Sequence, residues 1–218
     1  MKAPARQAFM MNSNEEMVEY IEVQALPEGR PEAVRFSITP VGIAGLMLLQ
    51  RHPLGDERGY FQRLFDADEL QQAGWQGAIA QINHTLTRQA GTLRGLHMQL
   101  APFAEYKLIT CLRGRVWDVA VDLRAGSPTF KQSFGVVLAP EQHNALLIPP
   151  GCAHGFQSLC DNVEMLYCHS QPYRADAEFC IQACDSQLAL EWPLAITQRS
   201  AKDEFSASLA PDFAGVSV

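Results

Sequence analysis

The chain has no excess of positive charge: 17 lysines and arginines stand against 24 aspartates and glutamates, a net charge of -7. A general nucleic-acid partner is therefore not expected, since phosphate-backbone binding rests on clustered Lys and Arg. A local group of basic side chains can still hold a small anion within an acidic protein. No apolar run approaches the length of a membrane span, so no membrane partner is expected. Lys2 and Arg6 are followed by no apolar core, which argues against a secretory signal and for a cytoplasmic protein. None of the six cysteines forms a CxxC pair, and Cys180 and Cys184 have no matching second pair, so a structural zinc site is not expected. Cys111 and Cys168 have apolar neighbours and read as buried, reduced thiols.

What is present is a succession of short apolar runs cut by Gly, Pro and Asn. Residues 1–36 differ from the rest and read as an N-terminal extension. There Ser13-Asn14-Glu15-Glu16 precedes Met17, Val18, Ile21 and Val23, which predicts one short helix that Pro27, Gly29 and Pro31 end. Residues 41–51 form an apolar run that ends in a polar turn over 52–58. A short helix is expected after Asp66 as N-cap, with Glu69 at N3 and Gly74 closing it. Residues 79–85, 93–99, 106–113, 116–123, 129–138, 145–148, 155–159 and 163–168 read as strands. In 116–123, Trp117, Val119, Val121 and Leu123 share one face, and Asp118 and Asp122 the other. So many short strands argue for an all-β barrel or sandwich over residues 37–205, with residues 206–218 as a C-terminal tail.

Two histidines sit inside glycine-punctuated strands, His97 in Leu93-Arg94-Gly95-Leu96-His97-Met98-Gln99 and His154 in Pro149-Pro150-Gly151-Cys152-Ala153-His154. Two imidazoles projecting into one barrel can bind a metal or move protons. A metal-dependent cupin would draw on His97, Glu105 and His154, but the second place of a His-x-His pair is Gln99, a poor ligand. The other reading is acid–base chemistry at carbon. A neutral imidazole takes a proton if a cation such as Lys107 steadies the enolate, while a phenol such as Tyr167 returns a proton to the opposite face.

Over roughly residues 37–205 the chain resembles the dTDP-4-dehydrorhamnose 3,5-epimerase family. The matching stretches are Gly55-Asp56-Glu57-Arg58-Gly59-Tyr60-Phe61, the His97 strand, Lys107-Leu108, residues 114–124 with 126–130, residues 148–156, Leu166-Tyr167, Glu191-Trp192-Pro193 and Ser200-Ala201-Lys202-Asp203. The resemblance implies an all-β cupin double-stranded β-helix, a jelly roll with a few short peripheral helices. It also implies a homodimer, no cofactor and no metal. The implied substrate is a nucleotide-sugar, a 4-keto-6-deoxyhexose epimerised at one or two carbons in deoxysugar biosynthesis.

By the resemblance His97 is the general base, Asp203 orients it, Tyr167 is the general acid, and Lys107 steadies the enolate. Arg94 and His154 line the sugar and phosphate region, with Asp118 behind them. Arg58 and Phe61 contact the nucleotide from the partner subunit, and Gln81, Asn83 and Tyr173 lie about the same pocket. Several positions depart from the family pattern. Arg63 replaces a glutamate, Ala104-Glu105-Tyr106 replaces a segment with Gln and Gly before the lysine, Pro172 replaces an aromatic, and Gln182-Ala183-Cys184 replaces Arg-Trp-Asp. These departures gather in ligand recognition, so the nucleotide base is the open variable. A single-centre epimerase or isomerase of another nucleotide sugar, and a non-catalytic sugar-nucleotide-binding protein, are the competing expectations.

Overall fold

The period-two apolar runs fold as antiparallel strands, and the few helices fall where capping residues stand. The computed structural model describes residues 7–11, 17–21 and 35–218. Two compact units divide the chain, Met1–Val34 and Arg35–Val218.

In the first unit β1 (Gln7–Met11) pairs antiparallel with β2 (Met17–Ile21), with Gln7 opposite Ile21 and Met11 opposite Met17. This corrects the expected helix. Met-Val-Glu-Tyr-Ile carries β-branched and aromatic residues that suit a pleated pair, and over so short a run apolar spacing does not separate helix from strand. The expected capping box at 13–16 lies outside the described residues.

The second unit holds β3 (Phe36–Pro40), β4 (Met47–Arg51), β5 (Leu54–Asp56), β6 (Gly59–Phe61), α1 (Ala67–Gln72), β7 (Gln81–Thr87) and β8 (Leu93–Gln99). There follow β9 (Lys107–Arg113), β10 (Val116–Asp122), β11 (Ser133–Leu138), β12 (Asn144–Ile148), β13 (Cys152–Ser158), β14 (Val163–His169), β15 (Glu178–Cys180) and α2 (Ala201–Glu204). A six-stranded sheet in the order β3-β4-β12-β9-β14-β7 faces a five-stranded sheet in the order β11-β10-β13-β8-β15. Two such antiparallel sheets closed on one core are the jelly roll expected from the sequence. The 52–58 segment, read as a turn, is instead half of the β5–β6 hairpin.

Three apolar clusters bury both faces of both sheets. Leu48, Ile109, Leu146 and Met165 from the six-stranded sheet meet Val116, Ala120, Leu138 and Phe156 from the five-stranded one in the barrel interior. Leu70 and Trp75, on and after α1, cover Leu108 and Leu147 outside the six-stranded sheet. Ile181, Leu188 and Leu209 cover Val119, Val121 and Leu123 outside the other. The Asp118 face of β10 is therefore the barrel interior, and both Asp118 and Asp122 are fully buried. Residues 206–218 run beside this outer cluster, where Val216 bridges to Arg124.

Asp66 caps α1 as the sequence predicts, its carboxylate accepting from the Asp68 and Glu69 amides. Glu69 does not complete a capping box. It accepts instead from the Arg35 and Phe36 amides and ties β3 to the helix. Among the described residues no helix is long and apolar enough to cross a membrane.

Candidate active site

Strands β8 and β13 approach more closely than side chains would allow, and this sets the site. Gly95 has φ +113°, and a Cβ there would lie 2.6 Å from Gly155 Cα and 2.7 Å from His154 O. The register shifts between His154 and Phe156, leaving His154 directly opposite His97. Both imidazoles then line a cleft of about 530 Å³ between the sheets.

His97 Nε2 lies 2.5 Å from Asp203 Oδ1, although the residues are 106 apart in sequence. Asp203 is brought there by α2, whose N-cap Ser200 Oγ accepts from the Asp203 amide. Burial alone would raise the Asp203 pKa, but the bond and charge of His97 outweigh it, and the group is held below the usual carboxylate range. The imidazole side chain is 31% exposed and its carboxylate 3%, so the ring reaches the cleft while its partner is sheltered. A part-exposed imidazole held by a buried, ionised carboxylate is equipped to accept a proton.

Across the cleft, β14 presents Tyr167, its hydroxyl 3.3 Å from Thr85 Oγ1. Burial pushes its pKa well above the usual phenol value, only partly countered by the Thr85 bond, so the phenol stays a proton donor at neutral pH. Tyr167 and His97 stand on opposite sheets, an acid and a base facing one space. Lys107, buried at the start of β9, donates to His97 O at 3.0 Å and lies 3.3 Å from Glu105 Oε1. On the neighbouring strand β13, His154 Nε2 lies 2.9 Å from Asp118 Oδ2. Asp118 is fully enclosed, and burial raises its pKa despite the opposing pull of His154.

Eight of the residues expected from the sequence line the cleft: His97, Lys107, Tyr167, Asp203, Asn83, Arg94, His154 and Tyr173. Gln81 and Asp118 stand one contact behind, Gln81 donating to Asn83 Oδ1 at 2.9 Å. Arg58 and Phe61 are not brought to this cleft. They sit on the exposed β5–β6 hairpin, where Arg58 pairs with Asp56 and Phe61 is 60% exposed. Arg63 bonds Asp66 Oδ2 at 2.8 Å.

Sequence reasoning passed over His169, which lines the cleft two residues beyond Tyr167 on the same strand. The period-two rule puts those two on one face and was the available signal. It also missed Glu178, Arg199 and Lys202, which lie on short or irregular segments with no periodicity to read.

The alternative metal set is not assembled. His97 is bonded to Asp203, Glu105 to Lys107 and His169, and His154 to Asp118. Among the described residues no group of three His, Cys, Asp or Glu is placed to hold a metal ion.

Fold and site together define a jelly-roll protein whose cleft holds an imidazole–carboxylate pair on one wall and a phenol on the other. Comparison with known proteins narrows the class. The family model described as dTDP-4-dehydrorhamnose 3,5-epimerase matches residues 40–211. A dTDP-4-dehydrorhamnose 3,5-epimerase of Sinorhizobium fredii is 37% identical over 170 residues, covering 78% of this chain and 87% of the relative. The crystal structure of the Legionella pneumophila dTDP-6-deoxy-D-glucose-3,5-epimerase in complex with dTDP-4-keto-L-rhamnose is 38% identical. It superposes with a TM-score of 0.75 over 79% of this chain and 92% of that one. The Bacillus anthracis dTDP-4-dehydrorhamnose 3,5-epimerase structure with TDP and PPi bound gives 36% identity and a TM-score of 0.77, covering 80% and 99%. The chain belongs to the dTDP-4-dehydrorhamnose 3,5-epimerase family, a family of isomerases with the cupin jelly-roll fold.

Proposed function

We propose that the protein epimerises a dTDP-linked 4-keto-6-deoxyhexose at C3 and C5 in deoxysugar biosynthesis. The observation that carries this reading is the placement of His97 and Tyr167 on opposite walls of one cleft. The 4-keto group acidifies the neighbouring C–H bonds. His97, oriented by Asp203, takes the proton, and the electron pair moves into the enolate. The Lys107 ammonium stabilises charge on the enolate oxygen. Tyr167 then delivers a proton from the other face, which inverts the centre.

Arg94, with Nε 3.0 Å from Thr87 Oγ1, and the cleft-lining Arg199 and Lys202 supply cationic donors for a diphosphate. His154, Asn83 and Tyr173 complete the sugar-nucleotide wall, with Gln81 and Asp118 as supports. In this reading the enzyme is a cytoplasmic homodimer whose partner hairpin contributes Arg58 and Phe61 to the nucleotide site. Residues 37–205 form the epimerase domain, with 1–36 as an extension and 206–218 as a tail. The reading requires no cofactor. Arg63, which opposes the charge the family pattern has there, favours a second reading in which the nucleotide or the number of inverted centres differs.

Incubation with dTDP-4-keto-6-deoxyglucose in D2O tests the reaction. Deuterium is expected at both C3 and C5 by NMR, with inverted product. Label at one centre alone selects the single-centre reading, and no label at either overturns both. Calorimetric titration with dTDP, UDP, GDP and CDP tests the base, with dTDP expected to bind at least tenfold tighter than the others.

A further inference from the structure

Two main-chain amides beside the cleft set the direction of a hydrogen-bond chain that ends on Lys107. The Tyr173 amide donates to Gln81 Oε1 at 2.9 Å. An amide N–H can only donate, so this bond fixes the Gln81 carboxamide, whose Nε2 donates to Asn83 Oδ1 at 2.9 Å. That leaves Asn83 Nδ2 facing His169 Nε2 at 3.3 Å. With a donor in front of it, Nε2 must be the bare, accepting nitrogen, so Nδ1 carries the proton. Nδ1 in turn lies 3.1 Å from Glu105 Oε2.

A second main-chain amide fixes a parallel path. Arg174 N donates to Gln99 Oε1 at 2.6 Å, turning Gln99 Nε2 toward Phe103 O at 3.1 Å, Pro172 O at 3.2 Å and Glu105 Oε2 at 3.2 Å. Both paths deliver donors to one carboxylate, whose other oxygen lies 3.3 Å from the Lys107 ammonium. Every link runs in one sense, from the 173–174 backbone to Glu105, and none calls for a proton on the carboxylate. The Lys107 ammonium beside it is the cation that favours the ionised form of this buried carboxyl.

We propose that Glu105 and His169 are positioning residues for Lys107. Glu105 is an ionised counter-charge that aims the ammonium, and His169 is a neutral Nδ1–H imidazole that aims Glu105. One Lys107 hydrogen goes to His97 O and one to Glu105, which leaves the third for an oxygen in the cleft. The assignment gives Gln81, Asn83 and Gln99 a shared purpose: they transmit the position of the 173–174 backbone to the lysine. It also explains the acidic residue found two positions before Lys107. Five titratable groups face Lys107 or its partner: Glu105 from the preceding loop, His169 on β14, Cys180 on β15, and His97 with Asp203.

The proposal rests on the epimerase reading for the task of Lys107, but its first test needs no substrate. In the ¹⁵N spectrum of the unliganded, histidine-labelled protein, His169 is expected as the Nδ1–H tautomer at neutral pH. Its signals are assigned by their loss in His169→Gln. An Nε2–H tautomer or an imidazolium there overturns the chain.

The second test uses Glu105→Gln, with deuterium wash-in as the assay. The expected result is a fall in kcat of about tenfold or more, with KM within about twofold. The alkaline limb of the kcat–pH profile should move down by roughly one unit, because an ammonium stripped of its counter-charge loses its proton more easily. Glu105→Asp should restore the limb while recovering only part of the rate. His169→Gln, which leaves the carboxylate charge in place, should lower kcat a few-fold without moving the limb. An unmoved limb in Glu105→Gln overturns the proposal. Wild type that washes in no deuterium overturns the epimerase reading instead, and the tautomer measurement still decides the chain.

Discussion

The same pair of residue types occurs twice in this barrel with opposite consequences. His97–Asp203 and His154–Asp118 are both imidazole–carboxylate contacts, at 2.5 and 2.9 Å, carried on strands where the histidines stand opposite each other. Asp203 sits on a short helix, close enough to the cleft for its imidazole to be part-exposed, and it stays ionised. Asp118 sits mid-strand in the barrel interior, fully enclosed, with Oδ1 lacking a hydrogen-bond partner among the described residues. Burial wins there and its pKa rises. Chemistry is thus assigned by surroundings. In the proposed mechanism the sheltered anion equips His97 as the base, whereas the carboxyl that resists ionisation leaves His154 as a wall of the pocket.

The contrast predicts unequal damage. His97→Ala should remove the base and lower deuterium wash-in by about a thousandfold or more, within the range for positioned acid–base groups. Wash-in at the wild-type rate in that variant would end the assignment. Asp203→Asn should lower kcat about a hundredfold, because the imidazole loses the partner that orients it and stabilises its cation. Asp118→Asn should lower kcat only a few-fold. Equal losses from the two asparagines would erase the distinction.

Tyr167→Phe comes next, with exchange retained at a reduced rate and net inversion lost, as NMR of the recovered sugar would show. Equal epimer yields from that variant and wild type would remove Tyr167 as the acid. The smallest effect is on stability and runs in opposite directions with pH. Asp203 is depressed in the fold, so its stabilisation is present above the unfolded carboxylate value of about 3.9 and is lost as pH falls through its folded pKa. Asp118 is raised, so its penalty is absent in acid and grows as pH climbs from about 3.9 through its folded value. Melting curves should therefore show Asp203→Asn losing roughly 2–4 °C against wild type at pH 7 and less at pH 3. Asp118→Asn should improve relative to wild type as pH rises. Parallel pH trends for the two variants would contradict the contrast.

Much of this was legible in the residues. The 93–99 strand was expected with its observed bounds, and Asp66 announced α1, because alternation and capping are local signals. The jelly roll and the set His97, Lys107, Tyr167 and Asp203 came from motif resemblance, and the structure brings all four to one cleft. What stayed hidden depends on long-range pairing. No local pattern says that His169 meets Glu105 across 64 residues, or that Gln99 is held by Arg174. The N-terminal hairpin was misread for a related reason. Met17–Ile21 is too short for periodicity to decide, and only its pairing with Gln7–Met11 makes it a strand.

The 106-residue separation of His97 from Asp203 has a consequence for the life of the chain. A ribosome releases every barrel strand before it releases Asp203. A nascent or partly folded molecule can therefore present His97 on its strand without the carboxylate that holds its ring. In the proposed mechanism, proton abstraction reaches its full rate only in the finished molecule. On that reading, full activity reports that the chain has been folded through to α2.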